Sequence, residues 1–323
     1  VASPAPLFKR LKRFVRYLLL RAAAGLASLF PVKWVSAFGA FLGALGFALA
    51  AGERRKALAH LARAFPEKSE AERRAIAKGS FAHLGRCVGE LVCVRQIDAR
   101  LDEWVEWPQE SRAVLDAALA RGKGVVFVSG HIGNWELTAR GVTARGYDGA
   151  SIAREASDPR TTAFIERLRR SGNTGSIWRG HPGAAKAMLK QLRAGKILGL
   201  LIDQDTKVQS VFVPFFGHPA STPRAAADLA LRTKAALIIG LCPRVGPWRY
   251  RLELEEVPLP DGDDEATVVS LTATLTAKLE AAIRARPEQW VWMHERWKRQ
   301  PPLPASAPID SPAATLHTPA PHT

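Results

Sequence analysis

The stretch Gly124-Val-Val-Phe-Val128 runs directly into Ser129-Gly-His-Ile-Gly-Asn-Trp-Glu136. A short β-branched apolar run bounded by glycine reads as a buried strand, and the glycines after it read as a turn. The pattern then becomes helical over 135–145. Working outward, helices are predicted over 112–121, 159–171, 182–193, 223–233 and 267–284. Apolar strands are predicted over 150–154, 196–202 and 236–242, with an alternating edge strand over 248–257. Strands alternating with helices define an α/β fold, with a central, mostly parallel β-sheet flanked by helices. Ligands of such sheets bind beyond the carboxyl ends of the strands. Chemistry is therefore expected just after Val128, at Arg154 and after Ile202.

His131 and Glu136 are a base and a carboxylate with four residues between them. On a regular helix that separation turns the side chains about 140° apart. They converge only if His131 lies on the turn and Glu136 in the first helical turn, which Gly130 and Gly133 permit. The helix amino terminus would then offer free N–H groups to an oxyanion or a phosphate. Glu136 would hold the tautomer of His131. No serine or cysteine elbow accompanies the pair, so the base would act directly on a substrate hydroxyl. The bland alternative is a turn histidine bonded to backbone beside a helix-start acid. A zinc site with His181 or His218 lacks a second ligand at metal spacing, so no metal is expected.

The chain carries 46 Lys and Arg against 30 Asp and Glu, a net charge of +16. Such an excess calls for an anionic partner. Lys9, Arg10, Lys12, Arg13, Arg16, Arg21 and Lys33 precede the first acid, Glu53, and sit around two apolar runs, 14–30 and 34–51. Residues 1–52 read as a membrane-associated helical segment, either an interfacial anchor or one marginal span, made only mildly hydrophobic by Gly39, Gly43, Gly46 and Gly52. A cleaved signal peptide and a pair of buried soluble helices are the competing readings. Helices follow over 53–65 and from Ser69 to about 94, the second opened by a Ser69/Glu72 capping box. The α/β domain with this lead-in spans 53–300. Residues 301–323, with seven prolines and no Lys or Arg, read as a disordered tail. Cys87, Cys93 and Cys242 form no CxxC pair, which argues against a disulfide framework.

Several blocks agree, in order, with one family. They are Ala64-Phe-Pro-Glu67 with Glu72-Arg73; Gly130 to Glu136; Ile152-Ala-Arg154; Asp203-Gln-Asp205; Val213-Pro-Phe-Phe-Gly-His-Pro-Ala220 with Thr222; and Trp292-Met-His-Glu-Arg-Trp-Lys298. The chain resembles the bacterial lipid A late acyltransferases, within the wider His-x4-Asp/Glu glycerolipid acyltransferases. The resemblance implies transfer of a fatty acyl group from acyl carrier protein, or from coenzyme A, to a hydroxyl of a membrane glycolipid at the cytoplasmic face of the bacterial inner membrane. The acyl thioester is a co-substrate, and no cofactor is implied. His131 would be the general base and Glu136 its orienter, with the backbone near Gly133 and Asn134 holding the oxyanion. Arg154 would bind a phosphate of the acceptor or of the phosphopantetheine arm. Asp203, Gln204 and Asp205 would bind sugar hydroxyls, support Arg154 or assist His131. Phe212, Phe215, Phe216 and Gly217 would line the acyl channel, with plain core as the alternative. Arg296 and Lys298, among Trp292 and Trp297, would meet anionic lipid. The family often has a glycine before its Val-Pro segment, where this chain has Ser210-Val211, which bears on turn geometry. A lysophospholipid or other glycolipid acyltransferase using acyl-coenzyme A is the nearest alternative function. A nucleic-acid module is disfavoured because the basic residues flank apolar runs and no such motif accompanies them.

Overall fold

The computed structural model describes residues 7–301. The expected tail, apart from Pro301, lies outside the described residues, as do residues 1–6.

Six strands form the central sheet in the order Glu253–Val257, Ala236–Leu241, Val125–Ser129, Ile197–Leu201, Gly149–Ala153, Thr174–Trp178. All run parallel except Glu253–Val257, which pairs antiparallel with Ala236–Leu241. The expected α/β fold is therefore present. Successive side chains of the strand Val125–Ser129 enter opposite faces. Val126 and Val128 join Leu198, Leu200, Leu237 and Ile239 in one core. Val125 and Phe127 join Ile197, Ala236 and Ile238 in the other. A strand buried on both faces has no reason to alternate polar residues, hence the unbroken apolar run. The chain leaves Val125–Ser129 for strands on one side and returns to Ala236–Leu241 on the other. The crevice at this reversal lies at the carboxyl ends of Val125–Ser129 and Ile197–Leu201.

Two strand regions differ from expectation. Thr174–Trp178 is an edge strand of the sheet that its Thr-Gly-Ser start concealed. The segment around Phe212 to Gly217, expected to be a loop, belongs to a hairpin of Ser210–Phe215 and His218–Pro223. Its turn places Phe216 at φ 52° and Gly217 at φ 74°, the left-handed pair that a two-residue hairpin turn demands. Pro214, Pro219 and Pro223 are accommodated because a two-stranded ribbon has only edges, where proline is tolerated. The run 248–257 is also divided. Arg249–Arg251 joins a small sheet with Val105–Glu106 and Arg244–Gly246, and only Glu253–Val257 reaches the main sheet.

The lead-in is helical throughout. Leu7–Ala27 and Val32–Leu49 precede Ala51–Ala64 and Glu70–Val92. Ser69 and Glu72 make the capping box, each satisfying the other's backbone N–H. Along Val32–Leu49, Trp34, Phe38, Phe41, Leu42, Leu45 and Leu49 are exposed. This helix is long and apolar enough to cross a membrane by length and composition. The Glu265–Ala285 helix meets the same criterion but lays seven side chains into the core.

The glycines of Val32–Leu49 have a packing role beyond lowering hydrophobicity. Gly39 and Gly43 meet Gly85, Phe81 and Ala82 of the helix Glu70–Val92, and Gly89 of that helix meets Val35 and Ser36. A Cβ on Gly43 would lie 2.1 Å from the Phe81 carbonyl oxygen, and one on Gly85 would lie 2.0 Å from that of Gly39. Small residues four apart on both helices let the two backbones touch, the crossing familiar from membrane helix pairs.

Candidate functional site

Gly130 lies between the strand Val125–Ser129 and His131. A Cβ there would meet the Asp203 carboxylate at 3.1 Å, so glycine lets that carboxylate sit under the turn. Asp203 follows the neighbouring strand and is 1% exposed. Its Oδ2 accepts the His131 backbone N–H at 2.6 Å and the Trp290 indole N–H at 2.8 Å. Its Oδ1 lies 2.8 Å from His131 Nδ1. With Nδ1–H committed to Asp203, Nε2 is left as the basic nitrogen. Burial by itself would raise the Asp203 carboxyl. The charge of His131, its hydrogen bonds and that of Trp290 outweigh burial and hold the group well below the usual carboxylate range.

This arrangement corrects the expected role of Glu136. Its carboxylate is gripped at both oxygens by Arg169, at 3.0 Å to Nε and 2.5 Å to Nη2. The turn at Gly133, with φ 61°, and the phase of the helix Trp135–Thr143 send Glu136 toward the helix Pro159–Arg170. The His131 ring takes its partner from the adjacent strand end instead. Burial works against the charge of Arg169, but Glu136 more than compensates and raises the guanidinium pKa. Arg169 Nη1 is buried with no hydrogen-bond partner among the described residues.

The backbone amides near Gly133 are likewise committed. Gly133 N–H donates to Gln289 O at 3.0 Å and Asn134 N–H to Cys242 O at 3.1 Å. Glycine is required at 133, because a Cβ would lie 2.2 Å from the Cys242 carbonyl oxygen. Asn134 turns away from the cleft. Its Oδ1 caps the helix by accepting from Leu137 N–H at 3.2 Å, and its Nδ2 donates to Glu90.

His131, Glu136, Arg154, Arg169, Arg179 and Gln204 line one open cavity, with about 1580 Å³ of empty space including its mouth. Arg154 and Arg179 follow neighbouring strands in matching register, and Arg179 N–H donates to Ala153 O at 2.8 Å. Burial, then the charge of Arg154, lowers the pKa of the Arg179 guanidinium. The Gln204 amide nitrogen lies 3.1 and 3.2 Å from the two ring nitrogens of His131, and 2.5 Å from His294 Nε2. Near-equal distances to both nitrogens put it over the ring face. An apolar slot, with about 460 Å³ of empty space including its open side, adjoins the cavity between the sheet and the helix Trp135–Thr143. Phe127, Val142 and Ile197 are in its walls, and it shares Trp135, Ala139 and Leu200 with the cavity.

The remaining candidates lie elsewhere. Asp205 binds Arg299 through its backbone N–H at 2.8 Å and its Nε at 2.5 Å. Phe215 and Phe216 are core, packed on Trp290, Trp292 and Trp297, and with Gly217 they are absent from the cavity wall. The expected aromatic channel gives way to this cluster because the hairpin carries the pair inward. Arg296 is also internal, not at a lipid surface. It is 0% exposed, donates to Ser221 O and Thr222 Oγ1 at 2.6 Å each, and burial pulls its pKa to about 10. Lys298 remains exposed, beside Glu295. Sequence reasoning did not single out Trp290, Arg169, Arg179 or His294. Of these, only His294 lay within a quoted block.

The site predicts a two-stage acid response. Burial first, and then the charge of His131, lower the pKa of His294 to about 4. The unfolded chain takes up that proton near pH 6.5, so stability should fall as pH drops from about 6.5 toward 4. Asp203, depressed in the folded state, contributes its full stabilisation above its unfolded value of about 3.9 and loses it below. Melting temperatures from pH 3 to 8 should show His294→Gln flattening the upper window and Asp203→Asn the lower one.

The fold and this cleft define a class, an α/β protein with a carboxylate-held histidine at the switch point of its sheet. A sequence profile of bacterial lipid A biosynthesis acyltransferases matches residues 3–299, and the chain belongs to that family. It is 26% identical over 304 residues to the lipid A biosynthesis myristoyltransferase of Escherichia coli K12, covering 92% of each chain. To the lipid A biosynthesis lauroyltransferase of the same strain it is 28% identical over 280 residues, 84% of this chain and 87% of the other. It is also 28% identical over 193 residues to the phosphatidylinositol mannoside acyltransferase of Mycobacterium tuberculosis H37Rv, and that match spans 57% of the length of each protein.

Proposed function

We propose that this protein moves a fatty acyl group from an acyl thioester, acyl carrier protein being the favoured donor, onto a hydroxyl of a lipid A precursor or similar glycolipid. The observation that carries the reading is the His131–Asp203 pair, with His131 in the wall of a cavity that adjoins an apolar slot. Neutral His131 accepts the hydroxyl proton at Nε2 as the oxygen attacks the thioester carbonyl. Asp203 stabilises the resulting imidazolium. The tetrahedral intermediate collapses, the C–S bond breaks, and the thiolate takes the proton back from Nε2. The products are an ester and a free thiol. With the amides at Gly133 and Asn134 engaged, Arg169, which lines the cavity and is held by Glu136, is the favoured oxyanion donor. Arg154 serves a phosphate of the acceptor or of the donor arm. The exposed apolar side chains of Val32–Leu49 and the basic start of the chain suit an anionic membrane surface, here assigned to the cytoplasmic face of the inner membrane. Similarity to the mannoside acyltransferases supports a second reading, in which the acceptor is another glycolipid.

The deciding experiment offers detergent-solubilised protein acyl carrier protein and coenzyme A thioesters, with a lipid A precursor, a mannosylated phospholipid and a lysophospholipid as acceptors. Transfer to the lipid A precursor that disappears in His131→Ala supports the reading. Transfer confined to another acceptor keeps the chemistry and moves the substrate. Near-normal turnover in His131→Ala refutes the mechanism. If the slot holds the acyl chain, Ala139→Phe at its mouth should shift preference toward shorter acyl donors, read from competition among thioesters of graded length. An unchanged profile would place the chain elsewhere.

A further inference from the structure

The helix Glu70–Val92 lies between two parts of the molecule. One face carries the glycines that meet Val32–Leu49. Another carries His83, Cys87 and Glu90, spaced four and three residues apart and so stacked along one stripe. That stripe meets the turn Gly133-Asn134, the link between His131 and Glu136. His83 Nε2 lies 3.0 Å from the Gly133 carbonyl oxygen, and Cys87 Sγ lies 3.5 Å from it.

Glu90 is 0% exposed and gathers donors from four separate segments. Its Oε1 accepts from Ser36 Oγ at 2.8 Å and from Arg244 Nη2. Its Oε2 accepts from Asn134 Nδ2 at 3.0 Å and from the Tyr250 hydroxyl at 2.5 Å. Arg244 is tied to the same turn by a second route. Its backbone N–H donates to Gln289 Oε1 at 2.8 Å, and the Gln289 carbonyl accepts from Gly133 N–H at 3.0 Å. Asn134 thus has both ends of its amide occupied, one on the helix cap and one on Glu90.

A buried carboxylate of this kind carries a desolvation cost that a hydrocarbon of the same shape does not, so its contribution to stability is small or negative. It provides direction instead. Four donors must converge on two oxygens, which locks the segments bearing them in one relative geometry. We infer that Glu90 is a positioning residue for the active site. Through Asn134 it sets the turn that separates His131 from Glu136 and Arg169, and through Ser36 it ties that turn to the apolar helix Val32–Leu49. The consequence for catalysis rests on the acyl-transfer reading above, whereas the mechanical link does not.

Glu90→Gln retains size but presents an amide N–H to donors that need an acceptor. Backbone hydrogen exchange of the full-length protein in detergent, without substrate, should then speed up at Asn134 and Leu137 and stay unchanged in the strand Ala236–Leu241. Turnover should fall by up to about 100-fold with KM within about twofold, as expected when reacting groups are misplaced while binding surfaces remain. Adding Asn134→Asp to Glu90→Gln restores a donor facing an acceptor, keeps a good helix cap, and should recover both protection and turnover. Ser36→Ala, a milder change, should raise exchange at the turn in a protein that still folds. The inference is overturned if exchange at the turn is unchanged in Glu90→Gln and Ser36→Ala, or if the double variant is no better than the single. If the unaltered protein transfers no acyl group to any acceptor, the acyl-transfer reading fails, and hydrogen exchange alone decides the role of Glu90.

Discussion

Asp203→Asn is expected to lower turnover by about 10³- to 10⁴-fold in a protein that still folds, the scale seen when a catalytic histidine loses the carboxylate that sets its tautomer. The two oxygens of Asp203 accept three N–H groups, two from His131 and one from Trp290. An amide has one acceptor end. If its oxygen serves Trp290 and the His131 backbone, its NH₂ faces His131 Nδ1 and forces the proton onto Nε2. The nitrogen that should accept the hydroxyl proton would then be blocked. Turnover at saturating substrate, with melting temperature as the folding control, checks this. Combining the substitution with His131→Ala should cost little beyond His131→Ala alone, because the two act as a unit. Turnover within tenfold of normal would reduce Asp203 to a structural anchor.

Gly43→Leu is expected to have the largest effect on stability, about 3 kcal/mol or more, at the severe end of overpacking. A Cβ at this position meets Phe81 O at 2.1 Å and Ala82 Cα at 2.9 Å. Both are backbone atoms of the helix Glu70–Val92, so no side-chain rotation relieves the clash and the helices must separate. Gly46→Ala on the same helix is the control. Its Cβ meets only Phe81 Cδ1 at 3.8 Å, and alanine favours the helix. Thermal melting in detergent and protease sensitivity around residues 32–49 should separate the two variants clearly. Equal behaviour would mean that the close crossing contributes little to holding Val32–Leu49 in place.

The residues that could be read from sequence alone are those whose signal is local. The apolar run at Val125 announces a doubly buried strand, Ser69 and Glu72 announce a helix start, and Gly130 and Gly133 announce a turn after the strand. Each is fixed by φ/ψ preference, hydrogen-bonding capacity or burial within a few residues of chain. The hairpin at 210–223 was hidden because its prolines mimic a loop, and Thr174–Trp178 because an edge strand with few aliphatic residues leaves a weak pattern. Arg169 sits in Arg167-Leu-Arg-Arg170, where nothing distinguishes a buried ion-pair partner from a solvated charge. Arg296 shows the reverse error. An aromatic-basic run suggests a lipid surface, yet this guanidinium is a fully buried staple over Phe215.

The sequence by itself determined the alternating α/β order, the position of His131 at a strand's carboxyl end and, by the agreement of six blocks, the family. Only the tertiary structure decided which carboxylate holds the histidine. Glu136 is five residues away in the chain and turns to Arg169, while Asp203, 72 residues away, arrives from the neighbouring strand. It likewise decided that an apolar slot lies under the helix Trp135–Thr143 and that Phe215 and Phe216 are core. The reason is physical. Spacing along a chain fixes side-chain directions over one or two turns, whereas partners across a sheet are chosen by strand order and register, which no local pattern encodes.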